Sequence, residues 1–372
     1  MKLETEKMPK LGFGLMRLPK KGEEVDLDAV KKMVDTCMEG GMNYFDTAYV
    51  YHSGKSEGIA KEVLVSRYPR ENFYLATKLP AWELKGPEDR DRIFREQLTR
   101  CGVEYFDFYL LHSVEDEENY EIYEKYDCFR WALEKKKAGQ IRHFGFSFHG
   151  TPGLLEQILD KYPEVEFVQI QLNYMDWDNP KVQSGKLYEI LHKRGIPIIV
   201  MEPVKGGNLA SLPPEADGLL KAEHPDASSA SWALRFAASL DGVMTVLSGM
   251  STQEQMEDNL HTFGQFEPLT EKEKEVLQAV VKKMNEIPQV PCTACGYCLD
   301  GCPKSIRIPD IFRALNSRRL YPDSPGAKNQ YDALIKEGSG KAGDCIECKQ
   351  CEGVCPQHLS ITEYLKEAAE TL

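Results

Sequence analysis

The stretch GGMNYFDTAYVYHSG, residues 40 to 54, joins three signals. Val30, Met33, Val34 and Cys37 recur before it at helical spacing, and the glycine pair stands where such a helix needs a left-handed cap. A short apolar run, MNYFDTA, then ends in an aspartate, with a tyrosine three residues beyond the run. The order is helix, glycine, strand, then polar groups at the strand's carboxyl end.

The same order returns along the chain. LGFGL (11–15), MNYFDTA (42–48), FYLATKL (73–79), FDFYLLH (106–112), RHFGFSF (142–148), FVQIQLN (167–173), PIIVMEP (197–203) and GVMTVLSG (242–249) are eight such runs. Gly102, Gly139 and Gly195 stand between helix and run as Gly40 and Gly41 do. Near-continuous apolar strands alternating with helices predict a parallel sheet covered by helices, and eight of them predict closure into a (β/α)8 TIM barrel. A doubly wound open sheet is the alternative, but no GxGxxG follows the first run to support it.

The segment STQEQMEDNLHTFGQF reads as the last barrel helix and LTEKEKEVLQAVVKKMN (269–285) as a charged helix leading away, before Pro288 and Pro291 break the pattern. This divides the chain into a barrel at 1–268, a linker helix at 269–290 and a smaller, mainly helical domain at 291–372. The net charge of -13 argues against a grip on nucleic acid or anionic lipid. Neither a signal-peptide core nor an apolar run of about 18 residues is found, so a cytoplasmic protein without membrane spans is expected. Eight of the eleven cysteines fall in two metal-type clusters, which suits a reducing compartment better than disulfides do. Cys37 and Cys101 sit at core spacing in helices, and Cys128 has no evident place.

Barrel chemistry gathers where strands end. Asp46, Lys78, His112 and Ser147 lie at such ends, 32, 34 and 35 residues apart, so consecutive strands would deliver them around one mouth, with Tyr51 on the loop past Asp46. A lysine beside a phenol favours the phenolate and should lower its pKa from about 10, while an aspartate holds the lysine charged. Tyr51 is then a general acid, and His112 a donor that orients a carbonyl.

FDTAYVYHSGKSE, LATKL and DFYLLH resemble the three catalytic signatures of the aldo-keto reductases, and PKLGFGLMRLP resembles their first strand. The resemblance runs over roughly residues 8 to 260. It implies a (β/α)8 barrel, reversible nicotinamide-dependent reduction of a small carbonyl or sugar-like substrate, and a catalytic tetrad of Asp46, Tyr51, Lys78 and His112. It implies that Gly14 and Met16 border the cofactor, that Ser147 and Gln169 hold the nicotinamide carboxamide, and that Met201 covers the ring where an aromatic residue is common. SGMSTQEQMEDN resembles the stretch around the adenosine 2'-phosphate, giving Gly249, Ser251, Gln255 and Asn259 as contacts. The asparagine usual after the serine is Phe148 here, and no basic side chain stands at Gly249, Ser251 or Gln255. NAD(H) is therefore as much a candidate as NADP(H), with Lys205 as a more distant cation.

CTACGYCLDGCP (292–303) and CIECKQCEGVCP (345–356) both read C-x2-C-x2-C-x3-C-P. This is the spacing of bacterial ferredoxins holding two [4Fe-4S] clusters, and the helical spacer resembles the alpha-helical ferredoxins. Zinc would tolerate looser spacing. The resemblance implies that the fourth cysteine of each run crosses over: Cys292, Cys295, Cys298 and Cys355 bind one cluster, and Cys345, Cys348, Cys351 and Cys302 the other. The clusters could pass electrons through a flavin or a redox protein partner, sense redox state, or staple the domain. A flavin is compatible with such a barrel but no motif indicates one. The rival to a reductase with an electron port is an electron-transfer protein that uses its barrel as a docking scaffold.

Overall fold

The computed structural model describes residues 3–22, 24–292, 294–299, 301–355 and 357–372. The chain divides into two compact units, one of residues 1–203 and 233–269, the other of 204–232 and 270–372. Residues 204–232 group with the C-terminal residues although they lie within the stretch read as barrel from the sequence.

The first unit is a closed parallel barrel of eight strands: β1 (Leu11–Gly14), β2 (Tyr44–Asp46), β3 (Tyr74–Pro80), β4 (Phe106–Val114), β5 (Ile141–Phe148), β6 (Phe167–Gln171), β7 (Ile198–Met201) and β8 (Val243–Ser248). Each pairs with its neighbour in sequence, and β1 closes the ring by pairing with both β2 and β8. Helices follow the strands. Asp26 caps Leu27–Glu39 by accepting the Ala29 N–H at 3.1 Å, and the helix ending at Cys101 stops at Gly102 in the left-handed conformation. The glycines at 41, 139 and 195 also have positive φ, as the helix–strand junctions require.

The barrel floor explains the site above it. Tyr44, Ala76, Phe108, Leu110, Phe167 and Ile199 belong to one buried cluster. In a strand, residues two apart share a face. The next position on that face is Asp46 on β2, Lys78 on β3, His112 on β4, Gln169 on β6 and Met201 on β7. Apolar layers thus fill the barrel, and polar groups begin where the strands run out.

The second unit holds the cysteine motifs. Helix Ile308–Leu320 packs against Gly326–Lys336 and Ile361–Thr371 around Ile306, Ile308, Ile311, Phe312, Leu315, Leu359, Ile361 and Leu365. Helix Glu271–Asn285, opened by a Thr270–Glu273 capping box, packs against Pro214–Glu223. No helix among the described residues is long and apolar enough to cross a membrane.

Candidate active site and cluster-binding loops

Asp46 and Lys78 are wholly or nearly buried and meet at 2.5 Å, Lys78 Nζ to Asp46 Oδ1. Lys78 Nζ also donates to the Thr47 carbonyl at 2.7 Å. The ammonium lies 5.0 Å from the centre of the Tyr51 ring, and the Tyr51 and His112 rings approach edge to face at 5.8 Å. Asp46, Tyr51, Lys78 and His112 therefore converge at the carboxyl ends of β2, β3 and β4, with the half-exposed Trp82 against His112 at 5.3 Å.

Burial pushes Lys78 down, but Asp46 and Tyr51 outweigh it and leave the ammonium above its ordinary 10.5. Burial raises the Asp46 carboxyl above 3.8 against the pull of Lys78. Burial also raises the Tyr51 phenol above 10, although Lys78 acts in the opposite direction. This corrects the expectation of a lowered phenol: desolvation of the phenolate exceeds the attraction of one cation, and Tyr51 keeps its proton at neutral pH. His112 is held well below 6.5 by burial, with Lys78 and His149 adding to the effect, so its ring is neutral. Its Nδ1 is buried without a partner.

The expected cofactor contacts form two groups. Ser147 and Gln169 are paired across β5 and β6. Ser147 Oγ accepts the Ser113 N–H at 2.7 Å, which leaves its own hydroxyl proton free to donate. Gln169 Nε2 lies 3.5 Å from the Met201 sulfur, while its Oε1 is buried and unpartnered. Phe148 is fully buried and packs on Phe146, whose ring also meets Phe129 of the covering helix Cys128–Lys137. The change from asparagine thus lies on the face turned to the helices. Cys37, Cys101 and Cys128 are fully buried.

Gly14, Met16, Gly249, Ser251, Gln255 and Asn259 gather where β1 meets β8. Gly14 faces the Ser248 carbonyl closely enough that an added Cβ would sit 3.6 Å from it, and Met16 is exposed. Ser251 Oγ donates to the Arg17 carbonyl at 2.7 Å and the Ser251 N–H to Gln255 Oε1 at 2.8 Å; Asn259 Nδ2 donates to Ser248 Oγ at 2.9 Å. The Arg17 side chain lies over Gly249 and reaches Glu202 at 3.5 Å. Arg17 was missed in the sequence. Its signal was the closed barrel itself, which sets the loop after the first strand beside the loop after the last. Lys205 groups with the second unit.

In that unit the eight cysteines surround two cavities. Cys292, Cys295, Cys298 and Cys355 line one of about 340 Å³, and Cys302, Cys345, Cys348 and Cys351 line another of about 320 Å³, each including its open mouth. Ile308 forms a wall of both. Among the described residues no three His, Cys, Asp or Glu side chains converge as a site for a single metal ion. The two loops also share a backbone course. Positive φ occurs at Ala294, Gly296 and Ser305 in the first, and at Glu347, Lys349 and His358, the same offsets from the leading cysteine, in the second. Turn bonds repeat likewise: Leu299 N–H to Gly296 O and Cys302 N–H to Leu299 O match Glu352 to Lys349 and Cys355 to Glu352.

Both parts of the chain match known families. Residues 10–282 match the aldo/keto reductase family and residues 291–360 match a 4Fe-4S dicluster domain. The chain belongs to the aldo/keto reductase family, as an oxidoreductase that carries a 4Fe-4S dicluster domain in the same polypeptide. An aldo-keto reductase of Mycobacterium avium is 26% identical over 261 residues, 70% of this chain and 82% of that protein. The uncharacterized oxidoreductase YqkF of Bacillus subtilis is 25% identical over 304 residues, 73% of this chain and 92% of its own. The holo form of aldo-keto reductase AKR11C1 from Bacillus halodurans superposes with a TM-score of 0.57 at 25% identity, covering 73% of this chain and 92% of that one. An aldo-keto reductase from Klebsiella pneumoniae in complex with NADPH gives 0.58 at 18% identity over 74% and 91% of the two chains, a likeness of fold.

Proposed function

We propose that the barrel reduces small carbonyl compounds with a nicotinamide cofactor and that the dicluster unit is a one-electron port for a redox partner. The observation that carries the first half is the buried Lys78–Asp46 pair beside a protonated Tyr51 and a neutral His112. Tyr51 holds a proton at its hydroxyl and gives it to the substrate oxygen. Lys78, kept charged by Asp46, offsets the phenolate that this leaves. His112 orients the carbonyl, and Trp82 supplies an aromatic wall suited to a small substrate.

The buried residues fit a nicotinamide. The unpartnered Gln169 Oε1 can accept from a carboxamide N–H and the Ser147 hydroxyl can donate to its oxygen, two complementary contacts on adjacent strands. Bound there, the nicotinamide would supply the hydride. Gly249, Ser251 and Gln255 offer no charge to a 2'-phosphate, and the Arg17 side chain lies over Gly249; we infer that NADH binds within tenfold of NADPH or better. The residues also fit two iron-sulfur clusters, since each cavity has four thiols drawn from both motifs in the crossed arrangement. Ile308 between the cavities favours relay over two unrelated staples.

Titration of the purified, cluster-loaded chain with NADH and NADPH, followed by carbonyl turnover, tests the reading. Binding of neither nucleotide would leave the scaffold interpretation in its place.

A further inference from the structure

Beyond the tetrad, one buried phenol touches the site's framework at three points. Tyr123, on helix Glu117–Lys125, is fully buried in the first unit. Its hydroxyl accepts the Ala81 N–H at 3.0 Å and lies 2.6 Å from the His112 carbonyl and 2.8 Å from that of Leu79. One hydroxyl proton serves two carbonyls, and the shorter contact is to His112.

The location gives this bridge its meaning. Pro80 and His112 are the last paired residues of β3 and β4, and a proline has no N–H to give to a ladder. β3 ends at that pair, β4 shifts register toward β5 between Leu111 and Val114, and Ser113 takes a positive φ of 57°. At the end of this ladder the phenol oxygen adds a side-chain bridge between the two rims, accepting the Ala81 N–H of one and offering its own proton to the His112 carbonyl of the other. The residue after Ala81 is Trp82, whose ring rests on His112 at 5.3 Å. One hydroxyl therefore sets both the backbone of His112 and the start of the loop that carries its ring contact.

We propose that Tyr123 is a positioning residue for His112: its hydroxyl ties the ends of β3 and β4 so that the imidazole faces the substrate carbonyl with Trp82 against it. The proposal rests on the carbonyl-reductase reading above. Tyr123 itself touches no substrate and moves no proton to it.

The test is a double-mutant cycle on the full-length, cluster-loaded protein with a nitrobenzaldehyde as the probe. Tyr123→Phe keeps the ring and removes the bridge. It should lower kcat by about tenfold to a hundredfold while leaving nicotinamide affinity unchanged. In a His112→Ala background the same substitution should cost nothing further, because its effect runs through the imidazole. An equal loss in both backgrounds, or none in either, would overturn the proposal in favour of general stability. A second readout stands without turnover: the nuclear Overhauser contact between the Trp82 and His112 rings should weaken in Tyr123→Phe. If the wild-type chain reduces no aldehyde, the functional reading fails while this contact still decides the geometric claim, and an unchanged contact would end it.

Discussion

Lys78 and Asp46 stand on adjacent strands whose ladder places them before any ligand arrives, Asp46 opposite Ala76 and Lys78 opposite Leu110. The cysteines of the second unit have no such frame. Among the described residues no strand carries any of them, and only Cys351 lies in a helical turn. Among the described residues their loops instead hold six at positive φ, five of them not glycine. Each of those five costs about 1–2 kcal/mol relative to ordinary backbone. A barrel site can thus be built by the scaffold and then occupied, whereas the cluster loops hold a conformation that makes sense with the clusters as part of the fold. Loss of a chemical group in the barrel should cost activity; loss of a ligand in the second unit should cost structure.

The largest effect follows from pairing cysteine substitutions. Cys302→Ala with Cys348→Ala removes two ligands of one cavity and should leave about four of the eight irons of a two-cluster protein. Cys302→Ala with Cys295→Ala strikes both cavities and should leave almost none. Iron and sulfide analysis of anaerobically purified variants decides it, and the reverse pattern would mean that each motif keeps its own cluster.

In the barrel, Tyr51→Phe should lower carbonyl reduction by about a hundredfold or more while nicotinamide affinity and iron content stay as they are. Retention of full turnover would remove Tyr51 as the acid. Asp46→Asn is a milder blow to chemistry but leaves Lys78 buried without its counter-charge, and denaturant titration should show a loss of about 3–5 kcal/mol. A change near zero would mean that water or another group compensates the ammonium.

How much of this was legible in the sequence also separates the two regions. Eight apolar runs alternating with helices, several of them set off by a glycine, foretold the barrel because period and punctuation are local signals. The same regularity put Asp46, Lys78 and His112 at strand ends. The cysteine spacing marked two groups of residues without any fold, because the pattern is the cysteines themselves, and the structure sets them around two cavities. Three things were hidden. The net direction of the Tyr51 shift depends on burial set by the surrounding packing rather than on the neighbouring charge alone. Arg17 comes to lie over Gly249 only when β1 closes on β8. Tyr123 looks like an ordinary core aromatic on an amphipathic helix, and its three polar contacts come from residues 11 to 44 positions away.

The smallest effect concerns pH. His112 stays neutral in the folded chain, whereas in the unfolded chain it takes up a proton below about 6.5. The unfolded state then binds more protons, so this group lowers stability as pH falls through that value. His112→Phe should therefore show a shallower loss of unfolding free energy between neutral and mildly acidic buffer than wild type. An identical slope in the two proteins would mean that the imidazole is not held neutral.

The most direct test of the central claim is one single-turnover experiment. Cluster-loaded protein carrying reduced nicotinamide is mixed anaerobically with a small aldehyde while nicotinamide and cluster absorbance are followed together. The account expects one nicotinamide oxidised per aldehyde reduced, with the cluster signal flat, because hydride and proton pass within the barrel and the clusters exchange single electrons elsewhere. Absence of nicotinamide oxidation, or cluster bleaching in step with it, would contradict the account.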